Sequence, residues 1–152
     1  MSANRKAFLD MIAHSEGTST CKASKHDGYD VIVGGTVFAD FSDHPRKLVA
    51  LNPRLKSTAA GRYQLLMRYW DVYKKQLQLP DFSPASQDAV AIQQIKEQKA
   101  LADVDAGRFG VALDKCANIW ASLPGAGYGQ HENTFAALFD VYLAAGGKVA
   151  SA

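Results

Sequence analysis

Tyr29-Asp30-Val31-Ile32-Val33-Gly34-Gly35-Thr36-Val37-Phe38 is the stretch on which the fold assignment turns. Branched and aromatic residues flank Gly34-Gly35, and a two-residue hairpin turn needs positive φ at both central positions. The run therefore predicts a β-hairpin. The pattern on either side of it is helical. Upstream, residues 4–15 place Phe8, Met11, Ile12 and Ser15 at i, i+3, i+4 and i+7, and Gly17 supplies the stop. A polar loop, 18–27, leads into the hairpin.

Downstream, Ser42-Asp43-His44-Pro45-Arg46 reads as the opening of a short helix, with Pro45 early in it and Asn52-Pro53 closing the segment. Residues 60–77 then repeat aromatic and apolar side chains at helical spacing. Ser83-Pro84 is a cap followed by an N1 proline and predicts a helix to about Lys99. Two more helices are expected over 109–121 and 132–145, with Gly146-Gly147 ending the last. A small hairpin set among five or more helices is an α+β pattern. The expectation is one domain over 1–152, mostly helical, with a small β-hairpin lobe and a cleft between lobes that suits a long, extended ligand.

Composition narrows the function classes. The chain is 47% hydrophobic and 21% charged, with net charge +2. That charge is too mild and too dispersed for a nucleic-acid binder, although it suits weak attraction to an anionic polymer. The apolar stretch Ala7–Ala13 is short and broken by Asp10, so neither a signal peptide nor a membrane span is expected. Cys21 and Cys116 read as free thiols, with a disulfide as the alternative. The four histidines show no ligand spacing, the serines no GxSxG, and Pro124–Gly129 no phosphate-loop lysine; no metal or cofactor is expected.

Glu16 is the candidate acid. It lies four residues after Ile12, at the edge of the apolar face and the C-terminal end of its helix. Desolvation, the negative end of the helix dipole and the lack of a cationic partner would each raise its pKa. A carboxyl still protonated near neutrality is what protonation of a glycosidic oxygen requires. On spacing alone, a surface glutamate at a frayed helix end competes with this reading. The paired-carboxylate mechanisms need a second acid about 5–10 Å away. Asp27 and Asp30, at the start of the hairpin, are the nearest candidates in sequence, and both suit turn and strand-entry roles as well. Ser57-Thr58 and Tyr63-Gln64 offer hydrogen-bonding groups for sugar amides and hydroxyls, or a helix cap. Tyr128 and Gln130 lie on the glycine-rich loop, where an aromatic can stack on a sugar or simply pack.

Together these strings resemble the lambdoid phage endolysins. The resemblance rests on Arg5–Met11, Ser15-Glu16-Gly17, Gly28–Gly35, Asp43–Val49, Gly61–Leu66, Asp81–Pro84, Ser86–Ala91 and Asn118–Gln130. It weakens over 18–26, over 100–115 and in the C-terminal helix. It implies a lysozyme-like fold and a peptidoglycan lytic transglycosylase that breaks the MurNAc-β-1,4-GlcNAc bond and leaves 1,6-anhydro-MurNAc ends. Glu16 matches the family's catalytic glutamate. Ser57, Thr58, Tyr63 and Gln64 match its cleft segment, and the loop with Tyr128 and Gln130 matches one lip of the groove. The resemblance further implies a monomer made in the host cytoplasm, with no nucleic-acid partner and no membrane insertion. A separate holin-type membrane protein would open its way to periplasmic peptidoglycan. The T4-type hydrolases carry an Asp nine residues after the Glu, where this chain has Lys25; this favours the transglycosylase over a hydrolytic muramidase that pairs Glu16 with Asp27 or Asp30.

Overall fold

A computed structural model describes residues 1–129 and 131–151. Among them it holds six helices and one antiparallel pair of strands. Their order is α1 (Ala3–Ser15), β1 (Val49–Asn52), β2 (Leu55–Ser57), α2 (Met67–Gln76), α3 (Pro84–Glu97), α4 (Leu101–Ala106), α5 (Phe109–Cys116) and α6 (Phe135–Ala144). The fold is α+β, as expected. The chain forms two compact units, one of Met1–Glu16 with the residues from Ala91 onward, the other of Gly17–Val90.

In the first unit, α1 begins where Ser2 Oγ accepts the Arg5 N–H at 3.2 Å, a side-chain cap. Phe8, Met11 and Ile12 are fully buried, as their spacing requires. Packing centres on Phe109, whose ring meets Phe8, Phe135, Phe139 and Tyr142 with centroids 4.6–6.1 Å apart. These are the edge and offset geometries that aromatic quadrupoles favour. Asp103 on α4 is nearly buried and is paired on both oxygens, with Arg108 Nε and Lys115 Nζ at 2.7 Å each. A carboxylate so enclosed requires both cations. Helix α4 had no sequence signal: it is six residues long and has no side-chain cap.

In the second unit the Gly34-Gly35 turn forms as expected, with φ of 92° and 97°. Only one bridge follows it, Val31 to Val37. The upstream arm also bonds sideways: Val33 N–H donates to Ala59 O and Gly61 N–H donates to Val31 O, and Val31 and Ile32 are buried. The regular sheet lies further on, in β1 and β2. Asn52-Pro53, expected to close a helix, reverses the chain between the two strands, with Asn52 Oδ1 accepting Arg54 N–H at 2.9 Å. No helix forms over 42–52. His44 is buried there as a neutral ring: Nδ1 accepts Arg46 N–H at 2.9 Å and Nε2 faces Leu65 O at 2.9 Å.

Helix α2 starts at Met67, not at 60. Gly61 and Gln64 have φ of 83° and 53°, left-handed values that a helix cannot absorb. Ala60, Leu65, Trp70, Phe82 and Val90 close a core under this segment. A Cβ on Gly61 would lie 2.5 Å from Gln87 Oε1 and 2.9 Å from Phe82 Cζ. Gly61→Ala therefore faces both backbone strain and overpacking, and we expect a loss of about 2–4 kcal/mol in denaturant unfolding. An unchanged midpoint would contradict this packing.

Candidate active site

Glu16 is the C-cap of α1, with φ −78° and ψ −6°, and its N–H donates to Ile12 O at 2.8 Å. Gly17 follows at φ 78°, the left-handed turn that ends a helix. The side chain is half-buried. Ser122 Oγ donates to Glu16 Oε2 at 2.7 Å. Ser122 Oγ also lies 2.7 Å from Ser15 Oγ, and Asn133 Nδ2 donates to Ser15 Oγ at 3.1 Å. Asn133 clamps the same pair through its backbone, with its N–H donating to Ser122 O at 2.8 Å.

Burial raises the Glu16 pKa to about 6, and the Ser122 hydroxyl opposes it by stabilising the ionised form. Of the effects expected from sequence, desolvation dominates. The hydroxyl partner was missed. Ser122 is 106 residues away and lies in a stretch whose local pattern is only that of a turn. His14 is exposed.

In the second unit, four expected binding positions fall on one short segment. Ser57 Oγ accepts Ala59 N–H at 3.1 Å, and Thr58 Oγ1 accepts Met67 N–H at 3.0 Å, relieving an unpaired donor at the start of α2. Gln64 Nε2 donates to Gly61 O at 2.9 Å. Tyr63 is 5% exposed and donates to Asp88 Oδ1 at 2.6 Å; Tyr29 donates to the same oxygen at 2.8 Å. The buried Arg62 guanidinium sits over both rings, 5.1 and 5.7 Å from their centroids, and its Nε donates to Asp27 O at 2.9 Å. Burial chiefly, with the Asp88 charge behind it, pushes the Tyr63 hydroxyl far above its ordinary pKa; burial also pushes Tyr29 up to about 12. Both phenols stay neutral donors.

Asp30 is 1% exposed. Its oxygens accept Ser24 Oγ–H at 2.5 Å and Lys25 N–H at 2.9 Å. Burial would raise its pKa, yet these donors hold it below the usual carboxylate range. Asp27 is exposed, at φ 50°, with Oδ2 3.4 Å from Arg62. Asp30 thus serves its own loop, whereas Asp27 faces Arg62 from the surface.

On the glycine-rich loop of the first unit, Tyr128 is 55% exposed and donates to Asn118 O at 2.8 Å. Glu132 pins this loop by accepting Gly125 and Gly127 N–H groups at 2.9 and 3.0 Å. Gln130 lies outside the described residues. Cys21 and Cys116 are free thiols, and burial pushes Cys116 up to about 12. The described residues contain no cluster of metal-ligating side chains and no helix long and apolar enough to cross a membrane.

A half-buried, hydrogen-bonded glutamate ending the first helix of an α+β chain is the arrangement expected of a lysozyme-like protein. Solved structures agree: a bacteriophage lambda lysozyme complexed with a chitohexasaccharide matches with TM-score 0.96 and 62% identity, over 98% of this chain and 97% of that one. A second structure of lysozyme from bacteriophage lambda matches with TM-score 0.91 and 61% identity over the same shares. The endolysin family model matches residues 6–149. The endolysin of Escherichia phage lambda is 64% identical, with 95% of this chain and 92% of the relative covered; that of Escherichia phage P2 is 54% identical, with 95% and 93% covered. The chain belongs to the endolysin family.

The raised pKa has a consequence for stability. Folded Glu16 binds its proton more tightly than the unfolded chain, whose ordinary value is 4.5. Its contribution to stability is therefore full below pH 4.5 and is lost as the pH rises through about 6. Glu16→Gln, which keeps an acceptor for Ser122, should stabilise the fold by about 1–2 kcal/mol at pH 7.5 and leave it unchanged at pH 4. Thermal melts at the two pH values check this; equal effects at both would contradict it.

Proposed function

We propose that the chain is a lytic transglycosylase. Within the family activity, degradation of peptidoglycan, it breaks the bond from N-acetylmuramic acid to N-acetylglucosamine and closes a 1,6-anhydro ring. The observation that carries this is the Glu16 carboxyl itself, which titrates near 6, while Asp30 is committed to Ser24 and Lys25 of its own loop and Asp27 is exposed beside Arg62. A single group at that pKa can serve as acid and then as base. Glu16 donates its proton to the glycosidic oxygen as the C1–O bond breaks and the N-acetylglucosamine 4-hydroxyl leaves. The resulting carboxylate then takes the proton of the muramic 6-hydroxyl, whose oxygen bonds to C1. Glu16 ends protonated, and no water is consumed.

The chitohexasaccharide carried by the lambda lysozyme supports an amino-sugar strand as the substrate, since N-acetylglucosamine is half of the peptidoglycan repeat. Tyr128 is the exposed aromatic that would stack on it, and the Asp88–Tyr63–Arg62 lattice would hold Gln64 and the Ser57-Thr58 pair in place. Family membership supports the wider setting, in which a separate holin-type protein gives the enzyme access from the host cytoplasm to periplasmic peptidoglycan.

Digests of sacculi should yield muropeptides with anhydro ends by mass spectrometry; free reducing ends would make the enzyme a hydrolytic muramidase. Wild type should clear Gram-negative cells only once their membranes are permeabilised. Glu16→Gln should lose about 10²–10⁴-fold in rate, and equal clearing by both would remove the site assignment. The hydrolase alternative rests on Asp27 or Asp30. Asp30→Asn should lower the melting temperature, because a buried acceptor pair is disturbed, yet hold kcat within about threefold. Lost turnover at unchanged stability would favour the hydrolase.

A further inference from the structure

The carboxyl of Glu16 has two oxygens in unlike settings. Oε2 accepts the Ser122 hydroxyl, whereas Oε1 makes no hydrogen bond among the described residues. We propose that Ser122, held by Ser15 and Asn133, is a positioning residue that reserves Oε2 and leaves Oε1 as the oxygen that carries the reacting proton. This rests on the reading of Glu16 as the acid and base.

Proton counting along the chain of contacts carries the argument. The Asn133 amide nitrogen has only hydrogens to give, so Ser15 Oγ must accept from it. Ser15 then turns its single hydroxyl hydrogen toward Ser122 Oγ, 2.7 Å away. Ser122 accepts that hydrogen and has its own left for Glu16 Oε2, also at 2.7 Å. Every donor points toward the carboxyl. A proton placed on Oε2 would have to be donated to Ser122 Oγ, and one hydroxyl hydrogen of the series would lose its partner. A proton on Oε1 leaves the whole series intact. The same oxygen is therefore protonated at the start of each turnover and receives the proton back at its end. The lock needs no charge: the shift of Glu16 has two causes among the described residues, burial and the Ser122 hydroxyl. The backbone bond from Asn133 to Ser122 O keeps the two serines in register.

The test compares Ser122→Ala, Ser122→Thr, Ser15→Ala and Glu16→Gln on solubilised peptidoglycan, with kcat, KM and the pH profile read for each. Ser122→Ala should lower kcat about 10–100-fold with KM within about twofold, because the reacting proton is no longer confined to one oxygen. The ionised carboxylate also loses a donor, so the alkaline limb of the profile should move up by about one pH unit. Ser122→Thr, which retains the hydroxyl, should restore both. A Ser122→Ala enzyme with wild-type kcat and an unmoved limb overturns the proposal, as does a Thr variant no better than Ala. If the Ala variant does not fold, Ser15→Ala decides. It frees the Ser122 hydroxyl to rotate, so a drop in kcat with the limb displaced upward supports the lock, and a wild-type profile overturns it. Should Glu16→Gln remain active, the reading of Glu16 falls first and the lock falls with it. An inactive Glu16→Gln beside an indifferent Ser122→Ala overturns the lock alone.

Discussion

The hydrogen bond from Ser122 to Glu16 joins the end of the first helix to a turn more than a hundred residues later. A half-buried carboxyl at a helix C-terminus is an unfavourable placement. It lies at the negative end of the backbone dipoles and away from bulk water. The fold tolerates it because one neutral hydroxyl meets it and a second hydroxyl and an amide steady that first one. A cation in the same place would ionise the group permanently; a fully apolar pocket would keep it neutral at every working pH. Burial, opposed by one neutral hydroxyl donor, sets a value near 6, between those extremes. The packing of α1 around Phe109 then serves to hold the end of that helix still.

A second device of similar kind stiffens the other unit. Gly61 and Gln64 take left-handed conformations that no regular element supports. They are held by side chains instead. Asp88 receives two phenols, Gln87 spans three backbone groups, and Arg62 lies over two rings. The segment expected to bind sugar is thereby rigid before any sugar arrives, which limits the ordering cost of binding. Tyr63 and the Ser57-Thr58 pair, expected as groove residues, have their polar atoms bonded within this unit.

Local pattern revealed the elements whose causes are local. Helix α1, the start of α3 at Ser83-Pro84, the Gly34-Gly35 turn and the stop at Gly17 were all legible, because capping, spacing and glycine conformation act within a few residues. The hairpin's fate was not: Val31 and Val33 bond to Gly61 and Ala59, a pairing that no neighbour encodes. Asn52-Pro53 ends helices and makes turns with equal ease, and only its strand partners decide between them. The left-handed Gln64 truncated α2 without a glycine to announce it. Glu16 was legible as a residue and its environment was not. Spacing placed it on the edge of an apolar face, family strings marked it, and the serine–asparagine series that tunes it came only from long-range contacts.

If one carboxyl does both proton transfers, no water enters the product. Cleavage of sacculi in water enriched in oxygen-18 tests this at the bond itself. The new saccharide ends should carry no heavy oxygen, because the muramic 6-hydroxyl closes on C1. One oxygen-18 atom incorporated per bond cleaved would contradict it and make the enzyme a hydrolase.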